Sequence, residues 1–195
     1  MVSAAVPALL QIIIMSSAVL FLARLNLNAP KTLTVFAHLK HTVGHLWLLT
    51  IIMWVYFIAL LLIAVFIVQW PFSGSLLILA VGSFLFVFAC QAMAMMLFCL
   101  TRDATRAMSL VAGISAPAFA FMGVTFPVHN MPELAQIWRS ILPVSHFIEL
   151  QNQQMNYGHI NQTTFTSLAM LMFMCLFFIV GSWLWARKPQ MGVTQ

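Results

Sequence analysis

The chain has 195 residues, of which 63% are hydrophobic and 6% charged. A soluble domain carries about 25% charged residues, so this composition excludes a soluble globular domain and a disordered segment. The net charge of +5 comes from eight Lys/Arg against three acids, which is too sparse for the phosphate-gripping patch of a nucleic-acid binder and reads as membrane topology. Cys90, Cys99 and Cys175 lie in apolar runs without metal-ligand spacing and read as small buried hydrophobes.

Five apolar stretches approach the roughly 20 residues a spanning helix needs. They lie near residues 5–23, 46–68, 76–100, 108–126 and 167–186, and none holds a formal charge. In lipid only a helix satisfies its own backbone locally. The predicted fold class is an all-α membrane protein: one transmembrane domain over residues 1–195, with five transmembrane helices.

Met1–Leu22 carries no charge, so the first span lacks the basic leader of a cleavable signal. Asn28–Ala–Pro30 should break it. Lys31–His45 is then predicted to form a separate short helix along the membrane surface, with Leu33, Phe36, Leu39 and Val43 as its apolar stripe. It would act as a surface anchor or as a docking site for a cytoplasmic partner. His38, His41 and His45 share one face of that helix. Such a face can hold zinc, but no acidic or Cys ligand accompanies it, and histidines tolerated at an interface are the simpler reading.

Gln69–Ser75 reads as a plain outer hairpin, with Trp70 at the interface and Pro71 and Gly74 in the turn. Asp103, between Arg102 and Arg106, reads as a juxtamembrane ion pair. In the fourth span Ala112, Ala116 and Ala120, with Ser109 and Gly113 alongside, form a small-residue face for close helix packing. Pro117 should kink that helix. Gln11 and Gln91 place amides at lipid depth, first as helix-to-helix hydrogen bonds and second as lining of a substrate path.

Phe126–Gln162 is the most distinctive segment. Asn130 is the expected N-cap, Glu133 its capping-box partner, and Pro132 a first-turn residue. Leu134, Ile137, Trp138 and Ile141 form an amphipathic stripe, and Pro143 ends the helix. A second short helix starts near Val144, with Phe147, Ile148 and Met155 as its apolar positions and Gly158 as its stop. This re-entrant pair, residues 127–158, should dip into the outer leaflet packed on protein; the alternative is an ordinary interfacial loop. Asn161–Gln–Thr163 matches a glycosylation sequon, a common chance pattern.

Arg24, Lys31, Lys40, Arg102, Arg106, Arg187 and Lys188 fall on one side of the spans, and Arg139 alone on the other. The positive-inside rule makes the crowded side cytoplasmic, with the N-terminus outside and the C-terminus inside. Such a start fits either the C-terminal part of a longer pattern or a natural five-span protein. The sequence holds no P-loop, no H-E-x-x-H and no nucleophile elbow, so it reads as no enzyme. Asp103, Glu133 and Glu149 lie at span ends or in loops, which argues against an ion-coupled carrier.

One string carries a resemblance: Gly123–Val–Thr–Phe126–Pro127–Val–His–Asn130–Met131–Pro132, then Gln136, Leu142–Pro143, His146–Phe147 and Gly158. It resembles the C-terminal part of bacterial type-2 ABC exporter permeases, and Pro7 resembles the start of their second span. The likeness covers nearly the whole chain and is specific over Gly123–Gly158. It implies spans two to six of a six-span permease in a bacterial inner membrane, exporting a drug, a lipid-like molecule or a similar substrate. It also implies a coupling helix within Asn26–His45 that meets a separate ATP-binding cassette ATPase through Phe36 and Lys40. The outer gate would comprise Phe126, Pro127, Asn130, Met131, Pro132, Pro143, His146 and Phe147. The implied partners are that ATPase, a second permease copy or paralogue, and the bilayer. This chain would bind no cofactor or metal, with ATP held by the partner. Where many members carry R-E-x-E-x-G-T, this sequence has Arg24–Leu–Asn–Leu–Asn–Ala–Pro30–Lys–Thr32. The rival reading is a truncated or non-transporting assembly or anchor protein.

Overall fold

A computed structural model of the chain describes residues 2–28, 35–69, 72–121, 132–156, 158, 161–177, 179–181 and 183. Among these residues there are seven α-helices and no strand: α1 Val2–Asn28, α2 Val35–Leu62, α3 Leu76–Thr101, α4 Ala104–Phe121, α5 Glu133–Ile141, α6 Pro143–Asn156 and α7 Gln162–Cys175. The chain is an all-α membrane protein. Four stretches are long and apolar enough to cross a bilayer: Ala5–Leu25, Gly44–Ile67, Leu76–Thr101 and Gln162–Gly181. They match the first, second, third and fifth expected spans. The fourth expected span is helical through Pro117 to Phe121, and its remaining residues lie outside the described set.

α1 ends at Asn28, where the following Ala–Pro pair was expected to stop it. The separate surface helix over Lys31–His45 does not form. From Val35 the backbone is one continuous helix into the second span. No proline follows Pro30 until Pro71, and Gly44 alone costs a helix only about 1 kcal/mol. At 1.5 Å per residue α2 is about 42 Å long, more than the roughly 30 Å hydrocarbon core. It closes with a wider π turn over Ile63–Ile67.

α3 is the central helix and packs against α1, α2, α4, α6 and α7. Its buried positions include Gly82, Ser83, Ala89, Cys90, Ala92 and Ala94, small residues that let neighbouring backbones approach. A Cβ on Gly82 would collide with Leu150 of α6. α2 is fastened to α3 by polar contacts as well as packing. The Trp54 indole N–H lies 3.0 Å from the Ala80 carbonyl and 3.1 Å from the Ser83 hydroxyl. The Thr50 hydroxyl donates to the Gln91 Oε1 at 2.6 Å. Gln91 is therefore a helix-to-helix hydrogen-bond residue.

Two expectations for the α3–α4 region need correction. Asp103 acts mainly as the N-cap of α4: its Oδ1 accepts the N–H groups of Thr105 (2.7 Å) and Arg106 (3.1 Å). Those backbone donors hold its carboxyl below the ordinary value, with a smaller attraction from the Arg106 charge. The backbone N–H groups of the first turn have no intrahelical acceptor, so a carboxylate placed just before them serves as their cap. The small-residue face of α4 is not packed among the described residues either, and the side chain of Ala120 lies outside them. Ser109, Ala112, Gly113 and Ala116 are exposed, while Ala107, Val111 and Ser115 form the buried side.

Candidate functional site

The two short helices before the last span make an elbow, and they sit in different surroundings. α6 packs on α1, α3 and α7, whereas the main contacts of α5 among the described residues are with α4 and α6. In α6 the residues Pro143, Val144, Ser145, Phe147, Ile148, Leu150, Gln151, Gln154 and Met155 are buried. In α5 only Ala135 is. The stripe of Leu134, Ile137, Trp138 and Ile141 faces outward, with Leu134 82% and Ile137 58% exposed. The expected packing on protein is therefore met by α6 and not by α5.

α5 also starts differently from the prediction. Pro132 is its N-cap, without a side-chain cap bond, and Glu133 opens the helix. A capping box needs its Glu at the third helical position, so Glu133 cannot serve as one; its carboxylate sits instead where the helix dipole favours it. Asn130 lies outside the described residues. The elbow itself is Leu142, at which extended backbone separates the two helices, and Pro143 opens α6 rather than merely ending α5.

A distant amide serves the start of α6. The Val144 N–H donates to the Oε1 of Gln11 on α1 at 3.1 Å, in a fully buried setting. Gln11 is thus a helix-to-helix residue whose target is a helix end. Three residues on, Phe147 meets Phe57 of α2 and Phe86 of α3, with ring centroids 5.0 Å apart in both cases and Phe57–Phe86 at 5.7 Å. All three rings are fully buried. At its far end α6 receives the loop before α3. Gln154 Oε1 accepts the Ser75 N–H at 3.1 Å, and a Cβ on Gly74 would strike Gln154. Gly158 stops α6 as expected, at φ +65°. Its N–H donates to the Gln153 carbonyl at 3.1 Å, the wide closing turn of a helix that ends left-handed. A Cβ there would hit the Ser73 carbonyl. The end of the expected hairpin, Ser73 to Ser75, is thus held on α6, while Trp70 and Pro71 lie outside the described residues.

Of the residues expected at an outer gate, Pro143 and Phe147 are buried in α6, His146 is half-buried and Pro132 is exposed. The His146 Nε2–H donates to the Ser140 carbonyl at 2.9 Å, which closes the last turn of α5 onto α6. Phe126, Pro127, Asn130 and Met131 lie outside the described residues. So do the side chains of Phe36, Lys40, His38 and His41, whose backbone is helical. The sequence reading missed the Gln154–Ser75 bond; the run Gln151–Asn152–Gln153–Gln154 in a short helix was its available signal.

Two hollows flank α5. One, about 90 Å³, is polar and lined by Gln136, Arg139, Ser140, Ser145, His146 and Glu149. The other, about 120 Å³, is apolar and lined by Met93, Met96, Ile114, Trp138, Ile141 and Leu142. In the polar hollow the His146 Nε2 is taken up by the Ser140 carbonyl, and the Ser140 hydroxyl donates to the Ile137 carbonyl.

The family model for ABC-2 family transporter protein matches residues 1–184. Two curated relatives, each a "Probable multidrug ABC transporter permease YbhS", come from Escherichia coli K12 and Escherichia coli O157:H7. Each is 26% identical over 129 residues, which is 66% of this chain and 34% of the relative. The matched region thus spans about a third of the relatives' length. No solved structure matches. The chain belongs to the ABC-2 family of transporter proteins.

Proposed function

We propose that this chain works as the membrane-spanning permease subunit of an ATP-driven exporter, paired with a second permease and with separate ATP-binding subunits. The family match over residues 1–184 carries the reading. A drug-type substrate is suggested by the printed name of the relatives, a probable multidrug ABC transporter permease. The arrangement of α2 supports the coupling role: its length lets the helical segment with Phe36 and Lys40 project past the bilayer towards an ATPase. The exposed small-residue face of α4, Ala112, Gly113 and Ala116, offers close approach to a second permease. The cation asymmetry supports a cytoplasmic C-terminus. In this mechanism ATP-driven closure of the partner pushes the start of α2. The motion passes through the α2–α3 contacts and the Phe57–Phe86–Phe147 cluster into α6, and the elbow opens and closes the outer end of the path.

The test is purification in mild detergent, with bound proteins identified by mass spectrometry. A P-loop ATPase in near-equal amount is expected, and its loss in the Phe36→Ala/Lys40→Ala double variant would locate the contact. A folded chain that retains no ATPase in cells expressing one would overturn the reading in favour of a non-transporting membrane protein.

A further inference from the structure

The polar hollow of the elbow holds polar groups that the packing described above does not use. Arg139 contributes a guanidinium whose Nε is buried, and Ser145, 2% exposed, contributes a hydroxyl. Neither atom has a hydrogen-bond partner among the described residues. Burying such groups without a partner is costly, and both line the same opening of about 90 Å³. Glu149 stands across it, 4.0 Å from the Arg139 guanidinium. That is the outer limit of an ion pair, and a pair this loose and this exposed holds weakly.

We infer that this hollow binds the headgroup of a phosphoethanolamine lipid, with the phosphate on Arg139 and Ser145 and the ammonium on Glu149. The guanidinium fork and the hydroxyl are donors suited to phosphate oxygens. The Glu149 carboxylate is acceptor-only when ionised and suits a primary ammonium. The same carboxylate repels a free phosphate ion, and a choline has no N–H to give it. A phosphoglycerol headgroup leaves it without a cation. The lipid source follows from the surroundings. α5 turns Leu134 and Ile137 outward on the face away from this hollow, so that apolar and polar faces lie on opposite sides, the disposition of a helix lying in the membrane interface, and headgroups lie at that depth.

Native mass spectrometry of the purified chain, exchanged into equal parts of phosphatidylethanolamine, phosphatidylcholine and phosphatidylglycerol, tests the inference. Wild type should retain the ethanolamine lipid about tenfold over the other two. Arg139→Gln and Ser145→Ala should erase or sharply reduce that preference, Arg139→Lys should keep most of it, and Glu149→Gln should remove the discrimination against phosphatidylglycerol. Ser145→Ala deletes only a hydroxyl, so its result stands even if the arginine variant does not fold. Equal retention of the three lipids, an unchanged preference in both Arg139→Gln and Ser145→Ala, or full displacement by inorganic phosphate would each overturn it. The readout needs no ATPase, so it stands or falls separately from the export reading.

Discussion

α5 and α6 are neighbours in sequence and opposites in environment. α5 has a clean apolar stripe and leaves it outside; α6 has a polar run, Gln151 to Gln154, and carries much of it inside. In water this would be an inverted pair. Next to lipid it is consistent, because an apolar face gains nothing from leaving hydrocarbon for protein, whereas an amide gains a partner. What buries α6 is the set of backbone ends it brings together. Gln11 serves its first turn, and Gln154 serves the loop before α3. Burial in this fold is decided by which groups need hydrogen bonds as much as by which are apolar.

The largest expected contrast lies between one apolar side chain of each helix. Phe147→Ala should destabilise the protein by about 3–5 kcal/mol, since the cavity is bounded by two other buried rings. Leu134→Ala on α5 should stay within about 0.5 kcal/mol. Unfolding by SDS in mixed micelles measures both, and similar losses for the two would end the distinction between the helices.

Gly158→Ala comes next, at about 1–3 kcal/mol, because it combines a left-handed backbone with a collision against the Ser73 carbonyl. Gly113→Ala on α4, where no atom approaches within 4 Å, is the matched control and should stabilise slightly through helix propensity. Gln11→Leu should cost about 1–3 kcal/mol by leaving the Val144 N–H buried without an acceptor. Amide exchange at Val144 should rise with it. If the amide stays protected, α1 is not what holds the start of α6.

Four of the five expected spans were legible because length and hydropathy alone mark them, and so were the two short helices, through their prolines and Gly158. Their environments were not. The stripe of Leu134, Ile137, Trp138 and Ile141 looks the same whether it meets protein or lipid. Gln11 was visible as a buried amide, but its partner lies 133 positions away, a separation no periodicity encodes. The break expected near His45 failed for a local reason: nothing in Val35–Leu62 stops a helix, and the change from surface to spanning composition does not itself require a turn.

The smallest effect separates two ways of satisfying a helix start. α6 borrows an amide from α1 in the buried interior, whereas α4 is capped by the adjacent, exposed Asp103. A titrating cap has a pH signature that an amide lacks. The N–H groups of Arg106 and Thr105 hold the Asp103 carboxyl below its ordinary value. Its contribution is therefore fully present above the usual carboxylate pKa of about 3.9 and is lost as pH falls through the lowered folded value. Asp103→Asn keeps an acceptor but cannot titrate. The stability difference between wild type and Asp103→Asn should accordingly be constant near neutrality and should shrink on acidification, while that between wild type and Gln11→Leu should show no such step. A wild type–Asp103→Asn difference that ignores pH would mean the carboxylate charge adds nothing to the cap, and that the local and the borrowed cap work by the same neutral hydrogen bond.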